Sequence, residues 1–216
     1  ESAESAKYNF GSMQPSKELR AAPGDEIATK LYFYNVYGNR ITHIVLSTAQ
    51  APEGWNVSIE PDVHDAQVVI SGVPTTIKES LYVEPSSAVK EVPATIPEGI
   101  EYIQSSVGNI GAKFVTIKIK VPKSEKLGTV GRIVVDAAAN WLGQGGTVAI
   151  SQSRSFDYTV TVASEEFSEV IAKPQAEAEK AATEVEEGLE QPVQPEAAGQ
   201  GQGAAQGAAG HRQNRR

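Results

Sequence analysis

The sequence predicts an all-β fold, an antiparallel sandwich in which two sheets close over one dry interior, and three observations carry that expectation. Apolar and polar residues alternate strictly over long runs: Val115, Ile117, Ile119 and Val121 with Thr116, Lys118 and Lys120, and Phe156, Tyr158, Val160 and Val162 with Asp157, Thr159 and Thr161. A period of two puts one face of each run in a core and the other in water. Turn residues separate the runs, as in Pro23-Gly24-Asp25, Tyr37-Gly38-Asn39, Ala51-Pro52-Glu53-Gly54 and Lys126-Leu127-Gly128, the punctuation of a chain of short strands. No helical period interrupts them before Ser164, so parallel strands joined by crossover helices are not expected.

Taken in order, residues 1–18 are expected to be a flexible segment or a strand given to a neighbour, with short strands around Tyr8-Asn9-Phe10 and Lys17 to Arg20. Residues 19–163 form the sandwich. Its first strand points Ile27, Leu31 and Phe33 one way and Lys30, Tyr32 and Tyr34 the other. Ile44 and Leu46 continue the inner face, followed by Trp55, Val57 and Ile59, so the stretch from Pro23 to Pro61 reads as a three-stranded meander. Such a sheet needs a second one to cover its apolar face. Residues 62–112 read as an insertion, with a hairpin of Ala66–Ser71 and Thr75–Glu84 and then a proline-rich excursion over the surface from Pro85 to Pro97. After the Lys113–Val121 strand, Ile133, Val135, Ala137 and Ala139 form another inner face. Glycines 143, 145 and 146 break the chain before Thr147–Ser151 and Ser153–Val162, for nine or ten strands in all. Residues 164–190 read as a charged helical segment with Ser164 as its cap. Residues 191–216, rich in Gly, Ala, Gln and Pro, read as a disordered low-complexity tail.

The 216 residues carry a net charge of −8, which disfavours nucleic acid as a partner. No cysteine occurs, so disulfides, thiolate metal sites and cysteine nucleophiles are excluded. No apolar run reaches membrane-spanning length. A start at Glu1 rather than Met suits a processed or a trimmed chain equally.

Catalytic signals are thin. There is no Gly-x-Ser-x-Gly elbow, the serines at 151, 153 and 155 alternate within a strand, and the histidines at 43, 64 and 211 have no metal-ligand spacing. His43 is expected on an exposed or cross-strand position. Glu60, Asp62 and Asp65 bring three hard oxygen ligands into one loop, a candidate calcium site and the one cofactor expectation. Tyr32, Tyr34 and Trp141 are candidate stacking surfaces for sugar rings. Asn56-Val57-Ser58 is an N-glycosylation acceptor triplet.

Pro23-Gly24-Asp25, a strand ending in Asn35, and Ala51-Pro52-Glu53-Gly54-Trp55-Asn56-Val57 together resemble the alpha-galactosidase-associated Ig-like domains. They are similar also to the cell-adhesion-type Ig-like domains of archaeal and bacterial surface proteins. Val121-Pro122, Gly128 and the strand after it resemble the closing half of that family, so the likeness covers residues 19–61 and 113–162. The resemblance implies an Ig-like β-sandwich in an extracellular, non-catalytic module near a surface layer or beside a glycosidase. The chain departs from the family in the insertion between Pro61 and Ala112 and in lacking an attached enzyme or second module.

The resulting expectation is a non-enzymatic cell-surface glycoprotein, structural or adhesive. It would pair strands with itself or with other surface proteins as a filament or surface-layer subunit, with Tyr8 and Phe10 on the donated strand. The alternative is a carbohydrate-binding module that takes glycans through Tyr32, Tyr34 or Trp141. An enzyme ranks last.

Overall fold

The computed structural model describes residues 6–70, 72–143 and 148–164. The expected helical segment from 165 onward, the low-complexity tail and most of the glycine loop lie outside the described residues. Within them the chain is all strand and loop. The strands are β1 (Gly11–Met13), β2 (Glu18–Ala21), β3 (Glu26–Tyr34), β4 (Thr42–Gln50), β5 (Asn56–Glu60) and β6 (His64–Ile70). They continue as β7 (Val73–Glu79), β8 (Leu81–Val83), β9 (Ile100–Ser105), β10 (Gly108–Lys120), β11 (Val130–Leu142) and β12 (Val148–Val162).

Two five-stranded sheets and one separate ribbon result. The first sheet runs β1-β3-β10-β5, with β9 also on β10; the second runs β2-β12-β11-β4-β8; β6 and β7 pair only with each other. Lys113 pairs with Phe33 on one side and Ile100 on the other, and Thr116 with Lys30 and Glu60, so β9 and β5 follow one another along the same edge of β10. All of these pairings are antiparallel except β2 with β12.

The alternating runs place their apolar members as expected. Leu31, Phe33, Val115, Ile117 and Ile119 of the first sheet are fully buried, as are Ile44, Ile133, Val135, Tyr158 and Val160 of the second, and they form one cluster. Two inner faces interdigitate in a sandwich-like arrangement, each alternation supplying one half of the core. Gly131 lies under Trp55: a Cβ there would stand 2.7 Å from the Trp55 ring and 2.9 Å from Pro52.

Four expectations are corrected. The stretch from Pro23 to Pro61 is no meander, because β4 joins the second sheet while β3 and β5 lie in the first. Period two fixes which face of a strand is dry, and both sheets of a sandwich offer such a face. The runs flanking Gln152 form one continuous strand, β12, held in register on β11 from Val130 opposite Thr161 to Trp141 opposite Ile150. The second arm of the inserted hairpin breaks at Ser80, whose N–H donates to the Ile44 carbonyl and whose Oγ accepts from the Leu46 N–H, so β8 joins β4. Finally, β9 and the first half of β10 form a hairpin, so the strand expected from Lys113 begins already at Gly108 and pairs with a strand, β9, that was not assigned. That hairpin carries a second, smaller apolar cluster of Tyr32, Ile103, Ile110 and Ala112, against which Phe114 and Tyr34 pack.

Candidate interaction cleft

The β6–β7 ribbon belongs to neither sheet, and its two faces differ. Cross-strand partners share a face. One face pairs Asp65 with Lys78 by an ion pair of 2.8 Å and Gln67 with Thr76 by a hydrogen bond of 2.6 Å. The other sets Ala66 opposite Ile77, Val68 opposite Thr75 and Ile70 opposite Val73, and most of these side chains are only half-buried. The second face is the more apolar and its own chain leaves it partly uncovered, although Val69 opposite Pro74 belongs to the first face and His64 opposite Glu79 to the second.

One buried pair ties the base of the ribbon to the second sheet. His43 Nδ1 lies 2.5 Å from Glu79 Oε2, and both residues are almost fully buried, at 8% and 3% exposure. The imidazole N–H donates to the carboxylate and satisfies two groups that would be costly to bury alone. His43, expected at an exposed or cross-strand position, is thus an internal anchor. Its residue type within β4 was legible, but Glu79 lies 36 positions away and no local pattern pairs them.

Between the ribbon and the sandwich lies a cleft of about 1110 Å³. All seven residues of β6 line it, but only Glu79 of β7 does, so the free edge of β6 faces the cleft. Its far side is formed by Ile41, Tyr82 and Tyr8, each 41–44% exposed. Trp141 and Leu142 also line it. The Lys113 ammonium stands over the Tyr82 ring, 3.5 Å from its centroid. Burial lowers the Lys113 pKa from the usual lysine value, opposed by the charges of Glu84 and Glu79. Nearby hydroxyls are engaged: Thr42 Oγ1 donates to the Asn9 carbonyl and accepts from the Trp141 indole N–H at 2.9 Å. The cleft therefore offers a free strand edge and apolar contact beside the charged side chains of Arg40, Asp65 and Glu84.

The residues singled out in the sequence fall in separate places. Phe10 is buried in its own chain's core, 6.5 Å from the Phe33 ring and 6.2 Å from Trp141, and β1 pairs with β3. Tyr8 packs edge-on against Trp141 at 5.7 Å. Giving this segment to a neighbour would therefore require withdrawing Phe10 from the interior. The three stacking candidates form no shared platform. Trp141, 2% exposed, belongs to the core, whereas Tyr32 lies on the outer face of the first sheet beneath the β9–β10 hairpin. The Tyr32 hydroxyl donates to Glu101 Oε2 at 2.6 Å, and burial first, then Glu101, pushes its pKa up to about 12. Glu101 also pairs with Lys30; the hydrogen bonds from Lys30 and Tyr32 hold its carboxyl below the usual range. Tyr34 is half-buried against the same small cluster.

The acidic loop does not assemble as a cation cage. Glu60 accepts from Lys118 at 2.6 Å and Asp65 from Lys78 at 2.8 Å, while the Asp62 side chain is exposed. Among the described residues no group of three or more His, Asp or Glu side chains is placed to hold a metal ion. Glu60 and Asp65 each face a lysine across a strand pair, a longer-range arrangement invisible in the loop's spacing. Asn56 and Ser58 of the acceptor triplet are both exposed on β5.

No family model matches the chain, and no curated protein matches it. Among solved structures, it is similar to AggA, the major subunit of aggregative adherence fimbriae type I from Escherichia coli, at 11% identity and a TM-score of 0.31. That likeness covers 74% of this chain and 96% of AggA. A second, AvmM, which catalyses macrocyclization in alchivemycin A biosynthesis, is similar at 11% identity and a TM-score of 0.29, over 69% of this chain and 87% of AvmM. One is a fimbrial subunit and the other an enzyme, so likeness at this level carries no argument about function.

Proposed function

We propose that the chain is an Ig-like, non-enzymatic structural or adhesive module of a cell surface that associates with copies of itself by strand pairing. The observation that carries the reading is the β6–β7 ribbon, with a free strand edge and a half-covered apolar face held over an open cleft. An unpaired edge beside uncovered apolar surface is what strand addition uses: main-chain hydrogen bonds give affinity and side-chain pockets give selectivity. The Ig-like assignment draws on strand order. β1-β3-β10-β5 and β12-β11-β4 follow the A-B-E-D and G-F-C arrangement, with β6 to β9 inserted between the fourth and fifth strands of that plan. The exposed Asn56 triplet is consistent with an extracellular setting and a glycan there.

The test is sedimentation velocity of the full chain over a wide concentration range. Concentration-dependent association is expected; a species that stays monomeric at every concentration would refute self-assembly. Mass spectrometry of native material reads Asn56, where an unmodified residue throughout would remove the glycoprotein part of the proposal.

A further inference from the structure

The backbone of β6 and the charges around its open edge define what the cleft can hold. Pro74 of β7 stands opposite Val69, and a proline has no N–H to give a neighbouring strand. Along an antiparallel ladder, pairs that exchange both backbone bonds alternate with pairs whose groups point outward. Val69–Pro74 is of the outward kind, and so are Gln67–Thr76 and Asp65–Lys78, the next alternate pairs of the ribbon. The N–H and C=O groups of Asp65, Gln67 and Val69 therefore face away from β7, and among the described residues β6 pairs with no other strand. They look into the cleft, which all of β6 lines. The edge of β7 carries Pro74 and Lys78, residues that deter pairing, whereas the edge of β6 carries neither.

We infer that the cleft takes an extended, proline-free peptide segment of another chain as a strand added to β6, with apolar side chains at alternate positions and a carboxylate against Arg40. This rests on the strand-pairing reading of the ribbon above, and not on the partner being a second copy. The seven residues of β6 set the length of the pairing, about 23 Å at the rise of a strand. Across from the edge stand Ile41, Tyr82 and Tyr8, half-exposed apolar surface for the side chains of the added strand. The charges choose the sign. Each carboxylate lining the cleft already has a partner: Asp65 meets Lys78 at 2.8 Å, Glu79 meets His43 at 2.5 Å, and Glu84 acts on the Lys113 ammonium. Arg40 also lines the cleft and is exposed, and its guanidinium has no hydrogen-bond or ion-pair partner among the described residues. The uncompensated charge is positive, so an acidic residue on the added strand is favoured and a basic one repelled.

The experiment selects random phage-displayed peptides, as long as β6, on the full chain, and synthesises the most enriched one as a fluorescent probe. Enriched sequences should alternate apolar residues, carry an acid and lack proline between their ends. Fluorescence anisotropy then compares wild type with Val69→Pro, which removes an N–H from the free edge and none from the β7 pairing, and with Arg40→Glu on the exposed rim. Each should bind the probe at least about tenfold more weakly, and selection on Arg40→Glu should turn from acidic to basic peptides. In amide exchange read by NMR, the probe should slow Asp65, Gln67 and Val69 selectively. No enrichment, peptides without an acid, or binding that neither variant weakens would overturn the proposal. A glycan array that binds through Tyr82 and ignores Val69→Pro would overturn it too and give the cleft to sugars. Sedimentation velocity separates the two readings: a monomeric chain that binds the peptides loses self-assembly and keeps this site, while an associating chain that binds none keeps self-assembly through another surface.

Discussion

Removing one partner of the His43–Glu79 pair and removing both are expected to have different outcomes. Glu79→Ala leaves a buried imidazole with no acceptor, and breaking such a pair from one side destabilises by roughly 3 kcal/mol. The joint His43→Leu, Glu79→Met variant removes both polar groups and should recover much of that loss. Urea denaturation compares them, and an unchanged midpoint for Glu79→Ala would deny the pair its anchoring role. Tyr32 makes a second residue-scale prediction. Its pKa is raised to about 12, so the folded form holds the neutral phenol. That contribution is complete below the ordinary tyrosine value of about 10 and is lost as pH rises toward 12. Phenolate absorbance should show two tyrosines resisting ionisation, Tyr32 and the buried Tyr158, whose pKa burial pushes up further still, and Tyr32→Phe should remove the one that ionises near 12. Glu101 works in the opposite direction: its lowered pKa contributes stability above the ordinary carboxylate range that fades as pH falls. It is screened by its exposure at the sheet surface.

At the scale of elements, the short N-terminal strand matters more than its three residues suggest, because Phe10 beside it is 1% exposed. Phe10→Ala should cost about 3–5 kcal/mol by opening a cavity among Phe33, Trp141 and Arg154. A loss below 1 kcal/mol in thermal or urea unfolding would mean the segment is an appendage. The crossing of β11 under Trp55 is equally tight. Gly131→Ala puts a methyl group 2.7 Å from the indole, and the overpacking should destabilise by about 1–3 kcal/mol. Trp55 fluorescence should shift with it, since its N–H donates to Glu125 at 2.9 Å and any tilt of the ring disturbs that bond. An unshifted spectrum at full stability would contradict the packing. The ribbon behaves otherwise: a two-stranded sheet is marginal by itself, so hydrogen exchange should be faster in β6 than in β10 or β11.

For the whole molecule, the main core cluster among the described residues runs from Phe10 to Val162. Because that cluster closes on itself between the two sheets, a chain ending at Ser164 is expected to keep a cooperative unfolding transition, read by calorimetry. A large drop in melting temperature would place part of the core beyond the sandwich.

Alternation along the chain already marks which residues of the long strands are dry. Val115, Ile117, Ile133, Val135, Tyr158 and Val160 were assigned to the interior from alternation alone and are fully buried, because a strand's side chains have only two directions to point. The partition of strands between sheets, the cover over Tyr32, the lysine partners of Glu60 and Asp65, and the His43–Glu79 anchor were decided only by the tertiary structure. Each depends on contacts between residues dozens of positions apart, and a period of two carries no information about which strand comes to lie alongside. The cleft follows the same rule: β6 pairs with β7 alone, and the break at Ser80 carries the chain on to the second sheet, two facts that only the long-range pairings show.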